Sequence, residues 1–183
     1  MPQQNVIFEN IYHEYKSMVF NLALHYLQNI EDAEEVTQDV FVKVYHSLQH
    51  FNQKSSYKTW IYRITINNCL DFIKKKNSIK RLYIFGKKSE NEKDYFNATT
   101  FEHPGIQLEN QENAEILFGV INTLTENQKT VFLLSKLDGL SNIEIAEIME
   151  LSIAAVESLI FRAKVSLQEK LSQKFSTYRK NKK

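Results

Sequence analysis

The stretch from Leu124 to Leu171 limits what this chain can fold into more than any other, because two helix-start signals follow one another there across a short turn. Ser141 has Glu144 at the spacing of a capping box, so a helix is expected to begin at Ser141. Ile145, Ile148 and Met149 would form its apolar face. The chain then turns through Glu150 and Leu151, and Ser152 is placed to cap a second helix. Along that helix Val156, Leu159, Ile160, Ala163, Leu167 and Leu171 recur at intervals that put them on one side. Such a pair reads as a helix-turn-helix.

Successive helical residues are rotated by about 100°. Packing that side inward therefore leaves Ala154, Glu157, Ser158, Phe161, Arg162 and Val165 facing out. An outward Phe beside an Arg needs a partner. When the second helix of such a unit enters the major groove, an aromatic can meet a thymine methyl, an Arg a phosphate or guanine, and a Glu a cytosine amino group. The alternative is an ordinary helical hairpin whose Phe packs on a neighbouring helix. The agreement of caps, turn and polar outer face favours the groove.

With 183 residues, a quarter of them charged, the chain can hold one large or two small domains. Four Gly and two Pro argue for helices. No apolar run approaches a membrane span, and Met1 to Asn10 lacks the regions of a signal peptide. The expectation is a cytoplasmic protein without stable membrane insertion. The single cysteine, Cys69, permits no internal disulfide and is expected as a buried thiol. The net charge of +1 says little, but the charge is segregated. Glu31, Asp32, Glu34, Glu35 and Asp39 form an acidic block, and Lys74, Lys75, Lys76, Lys80, Arg81, Lys87 and Lys88 a basic one. Two unlike partners would suit this asymmetry, although two solvated surfaces would produce it too.

Taken in order, Phe8, Ile11, Tyr12, Tyr15, Val19, Leu22, Ala23 and Tyr26 mark a long amphipathic helix from about Phe8 to Leu27. Asn29 can cap the next, with Val36, Val40, Phe41, Val44 and Leu48 inward and Asp32, Glu35, Gln38, Asp39 and Val42 outward. Early acids suit a helix N-terminus. Acids continuing to Asp39 around an outward Val42 look like a docking surface for a basic helix. A turn-rich segment with Lys54, Tyr57 and Lys58 leads to Thr59, a plausible cap for a helix beginning at Trp60. That helix carries one stripe of Trp60, Arg63, Asn67, Asp71 and Lys74. With Lys75 and the lysines after it, the stripe could track a phosphate backbone and stack unpaired bases. The alternative puts Trp60 in the core and pairs Arg63 with Asp71 or an earlier acid. From about Asn77 to Glu112 the pattern dissolves into an expected flexible linker, in which Tyr83, Ile84 and Phe85 would pack locally. Helices resume at Ala114, and Thr125 with Gln128 forms another capping-box pair. The tail after Leu171 is basic and expected to fray.

Three blocks carry a resemblance: E-D-A-E-E-V-T-Q-D-V-F (31 to 41), T-W-I-Y-R-I-T-I-N-N-C-L-D (59 to 71) and L-S-N-I-E-I-A-E-I-M-E-L-S-I-A-A-V-E-S-L-I-F-R-A-K (140 to 164). In order and spacing they resemble an extracytoplasmic-function sigma factor of the sigma-70 family. The resemblance implies an all-α protein with two small helical domains joined by a flexible linker. Region 2 would span residues 6–77, the linker 78–112, region 4 with the helix-turn-helix 113–174, and the basic tail 175–183. It implies core RNA polymerase as partner. Asp32, Glu35, Gln38, Asp39 and Val42 would dock on the clamp helices of the largest subunit, and region 4 would lie near the second-largest. The loop from Phe51 to Lys58, with Lys54, Tyr57 and Lys58, and the residues Trp60, Arg63, Asn67, Lys74 and Lys75 would take the melted −10 element. Ala154, Glu157, Ser158, Phe161, Arg162 and Lys164 would read −35 duplex. An anti-sigma factor is a further partner of such proteins, and no cofactor or metal is implied.

The chain departs from its relatives at Glu157 and Leu159, positions that are often basic in them. Phosphate grip therefore falls more on Arg162, Lys164 and the tail, and the −35 preference cannot be copied from a relative. Two rival readings remain beside this one. An operator-binding regulator would use the same helix-turn-helix without polymerase, but has no use for a single-strand site. An enzyme would need more than the sequence offers: His46 and His50 have the spacing of a helical metal pair, but no third ligand follows, and no catalytic cluster is evident.

Overall fold

The computed structural model describes residues 2–86 and 111–181, with side chains over 4–79, 81 and 113–174. The chain divides into two compact units, residues 1–103 and 104–183. Every regular element among the described residues is helical: α1 (Pro2–Leu27), α2 (Ile30–Ser47), a single 3-10 turn (Leu48–His50) and α3 (Tyr57–Gly86), then α4 (Gln111–Ile121), α5 (Glu126–Lys136), α6 (Asn142–Met149) and α7 (Ile153–Asn181).

In the first unit α1, α2 and α3 each pack on the other two. Val19, Leu22 and Ala23 of α1, Val36, Val40 and Val44 of α2, and Ile61 and Cys69 of α3 are buried to 1% or less. The cysteine is the buried thiol expected from its apolar setting. Asn29 caps α2 as expected: its side chain accepts from the Asp32 N–H at 2.8 Å. Two boundaries differ from the sequence reading. Helix α3 starts at Tyr57, because Ser56 rather than Thr59 is the cap, its Oγ accepting from the Thr59 N–H at 3.0 Å. Thr59 is instead buried, its hydroxyl 2.9 Å from that of Ser56. Helix α3 also runs past Asn77 to Gly86, beyond the point where hydrophobic periodicity fades. Residues 77–85 contain neither proline nor glycine, so nothing in them breaks the helix before Gly86. Most of the expected linker, residues 87–110 with Lys87 and Lys88, lies outside the described residues, as do the side chains of Lys80 and of Tyr83, Ile84 and Phe85.

In the second unit α7 is the central element, packed on α4, α5 and α6. Val156, Ile160, Ala163 and Leu167 of α7 meet a core that includes Val131, Leu134, Ile145 and Ile148, all buried. Both capping boxes form as read. Thr125 and Gln128 satisfy each other at the start of α5, and Ser141 and Glu144 at the start of α6. Ser152 caps α7, accepting from the Ala155 N–H at 3.2 Å. The turn between α6 and α7 closes through Glu150 in the left-handed region, φ 56°, with the Leu151 N–H on the Ala146 carbonyl at 3.0 Å. Lys170 ties α7 to the α4–α5 turn by a 2.7 Å bond from Nζ to Thr123 Oγ1. The backbone of α7 stays helical to Asn181, so the chain does not fray at Leu171. Lys182 and Lys183 lie outside the described residues.

The capping geometry gives a direct test. Ser141→Ala removes the acceptor for the Glu144 N–H and should lower the stability of the second unit by about 1 kcal/mol, read as an earlier urea midpoint by circular dichroism. An unchanged midpoint would mean that the box adds nothing.

Candidate nucleic-acid and polymerase interface

Three surfaces gather the residues singled out in the sequence. The first is the outer face of α2. Burial of Val36, Val40 and Val44 turns Glu35, Gln38, Asp39 and Val42 outward, and Val42 is 56% exposed. Asp32 stands apart from them. Its side chain is half-buried and accepts from Lys76 Nζ of α3 at 2.5 Å, while its backbone N–H is held by Asn29. One acid of the stripe is thus engaged inside the unit, and the others face solvent.

The second surface is the start of α3 with the segment before it. Phe51 stacks on Tyr57 with ring centroids 4.6 Å apart and leans on Trp60 at 4.8 Å. Tyr57 and Trp60 lie 6.4 Å apart. All three rings are half-buried, so Trp60 belongs neither to the core nor to open solvent. Lys54, Asn67, Lys74 and Lys75 are exposed around this side of the helix, and Lys58 and Arg63 are half-buried. At the margin of this side, buried Asn68 accepts from Lys43 of α2 at 2.6 Å and donates to the Ile64 carbonyl at 2.7 Å. That bond links α3 to α2, while burial of Ile61, Tyr62, Ile66 and Cys69 sets which side of α3 faces inward. Stacked rings with cations beside them offer π-faces to unpaired bases and charge to phosphates. Phe51 heads the segment expected to meet the −10 element but is not among the side chains singled out in it, because its ring contact with Tyr57 and Trp60 depends on the path of that segment.

The third surface is the outward face of α7. Ala154, Glu157, Ser158, Phe161, Arg162 and Lys164 are all exposed, as is Val165. Phe161 is 68% exposed, one residue from Ile160 at 8%. The face therefore has the register read from the sequence. Ile153 at the head of α7 and Ile143 in α6 add exposed apolar surface, 46% and 68%. Asn142 of α6 also reaches it, donating from Nδ2 to Glu157 Oε1 at 3.4 Å. Among the described residues no group of three His, Cys, Asp or Glu side chains could hold a metal. None of the described helices is long and apolar enough to cross a membrane.

A helix-turn-helix with an outward aromatic and arginine, beside a separate three-helix unit bearing one acidic and one aromatic-basic face, defines an all-α nucleic-acid-binding protein with a second kind of partner. Comparisons with known proteins give the particular family. Residues 11–79 match Sigma-70 region 2, and residues 114–167 match Sigma-70, region 4. The chain is 30% identical over 165 residues to the ECF RNA polymerase sigma-E factor of Haemophilus influenzae, covering 90% of this chain and 87% of that one. It is equally identical, 30% over 166 residues, to the sigma-E factor of Escherichia coli K12, with 86% and 82% covered.

Two solved structures share the fold. The sigma factor RpoE bound to the anti-sigma factor NepR from Bartonella quintana superposes with a TM-score of 0.65 at 20% identity, covering 90% of this chain and 96% of that chain. CnrH in complex with the cytosolic domain of CnrY gives 0.61 at 22%, covering 91% and 88%. The chain belongs to the extracytoplasmic-function sigma factors of the sigma-70 family. It is a polymerase-associated initiation factor, and the reading as an operator-binding regulator is not favoured.

Trp60 is the only tryptophan in the chain, so its fluorescence reports on the aromatic cluster alone. Phe51→Ala should shift its emission to the red as one ring face opens to water, whereas Phe161→Ala should leave it unchanged. An unshifted spectrum in Phe51→Ala would deny the stacking.

Proposed function

We propose that the first unit carries both the polymerase-docking and the −10-binding work and the second the −35 reading, with the boundaries 6–77, 78–112 and 113–174 and a basic tail over 175–183. Glu35, Gln38, Asp39 and Val42 present acid around an apolar centre to the basic clamp helices of the largest polymerase subunit. Asp32 contributes chiefly by anchoring α3 through Lys76. The second-largest subunit lies near region 4. An anti-sigma protein is a further partner, as NepR is for the RpoE of like fold. The chain works in the cytoplasm and acts by binding, leaving catalysis to the polymerase.

At the promoter, Tyr57 and Trp60, with Phe51 behind them, receive an unpaired base of the melted −10 element. Lys54, Lys58, Arg63, Lys74 and Lys75 follow its phosphates, and Asn67 offers an amide to a base edge. In the −35 duplex α7 lies in the major groove. Phe161 and Ala154 meet apolar base edges, Arg162 and Lys164 the backbone, Ser158 a base or phosphate, and Glu157 a cytosine amino group. The observation that carries this reading is the stack of Phe51, Tyr57 and Trp60 on a unit separate from the helix-turn-helix. A reader of duplex DNA alone has no use for it.

The test is transcription by core RNA polymerase mixed with the purified chain, on fragmented genomic DNA of its own source. Discrete start sites should depend on the chain. Reversing Glu35 and Asp39 to Lys should reduce them by about tenfold or more, since like charges across the docking surface repel. Transcripts that survive the reversals undiminished would remove α2 from the docking surface.

A further inference from the structure

We propose that Asn142, the first residue of α6, positions the Glu157 carboxylate for promoter reading, so that sequence preference at one −35 base pair depends on a residue of the preceding helix. The proposal rests on the reading of Glu157 as a base-facing residue. Asn142 Nδ2 donates to Glu157 Oε1 at 3.4 Å across the helix-turn-helix.

Both ends of this bond have fixed backbones. Asn142 directly follows Ser141, whose N–H and hydroxyl both meet Glu144 Oε2 at 2.9 Å. Glu157 directly follows fully buried Val156. What is left unfixed is the Glu157 side chain itself, exposed and with several rotatable bonds. The amide selects among its rotamers. A carboxylate only accepts, and one N–H on Oε1 leaves the other oxygen open. In the major groove cytosine presents an amino donor, so a carboxylate held in place selects it over the acceptor edges of guanine and thymine.

In water a 3.4 Å exposed bond is weak. It strengthens when the groove excludes solvent, which is when the selection is made. An amide has two N–H donors, and the second can meet a phosphate where the first helix of the unit crosses the backbone. Asn142 would then join register on the backbone to reading of the base. The bond is not needed as a brace between α6 and α7, because Ile145, Ile148, Val156 and Ile160 already bury that interface.

The experiment uses holoenzyme assembled from core RNA polymerase and the full chain, transcribing a promoter library randomised across the −35 region. The wild-type chain should enrich cytosine at one position, and Glu157→Ala should abolish that enrichment. Asn142→Ala should cut it about fivefold at that position alone, with the thermal midpoint unchanged and no further loss in the double variant. Asn142→Asp, which sets a second carboxylate against Glu157, should show the same local loss. If Asn142→Ala keeps the wild-type preference while Glu157→Ala loses it, the positioning role is overturned and the base-reading role of Glu157 stands. A loss spread evenly over all positions would make Asn142 a brace and also overturn the proposal. If Glu157→Ala retains the cytosine preference, the assignment of Glu157 fails and this proposal falls with it.

Discussion

Burial of Val156, Ile160, Ala163 and Leu167 fixes the rotation of α7 about its own axis, and its outward face follows from that rotation. Val156, Ile160 and Leu167 each contribute about 1.5–3 kcal/mol relative to exposure. An exposed polar contact on the other side contributes roughly 1 kcal/mol or less. The core therefore sets the register, and the outward residues occupy the positions it leaves. Phe161 beside buried Ile160 shows how sharply the division runs. The same constraint acts on α2, where the buried valines turn Glu35, Asp39 and Val42 outward.

The first unit solves a harder packing problem, because two unlike surfaces must share one small body. Two polar links between α2 and α3 hold them in relation. Lys43 meets Asn68 near the aromatic end, and Asp32 meets Lys76 further along α3. The Asp32–Lys76 pair is partly exposed, with side chains 19% and 41% accessible, so it contributes at most about 1 kcal/mol. Its value is geometric. It sets where α3 leaves α2, and so the direction in which Lys74 and Lys75 point.

Much of this was legible in the sequence, because helix starts are local chemistry. Asn29, Thr125, Ser141 and Ser152 all cap where their hydroxyl or amide oxygen and the spacing of following residues indicated. The inward and outward faces of α2 and α7 followed from periodicity alone. What was missed depends on long-range geometry or on competition between neighbours. Ser56 and Thr59 are both capable caps, and only the path of the preceding segment decides for Ser56. Helix α3 outlasts its apolar pattern because residues 77–85 hold neither proline nor glycine to stop it. Phe51 and Asn142 make contacts that periodicity cannot reveal. Asp32 looked like one more acid in a row until Lys76, from another helix, singled it out.

The left-handed residue between α6 and α7 also governs which sequences can succeed this one. Glu150 tolerates φ 56°, a region open to Gly and to Asn or Asp but hostile to β-branched side chains. A single base change in a Glu codon yields Gly, Asp or Val among its products. The first two are compatible with the turn, whereas the third strains it. The turn thus constrains this position through one backbone dihedral, a constraint that the outward residues of α7 do not share.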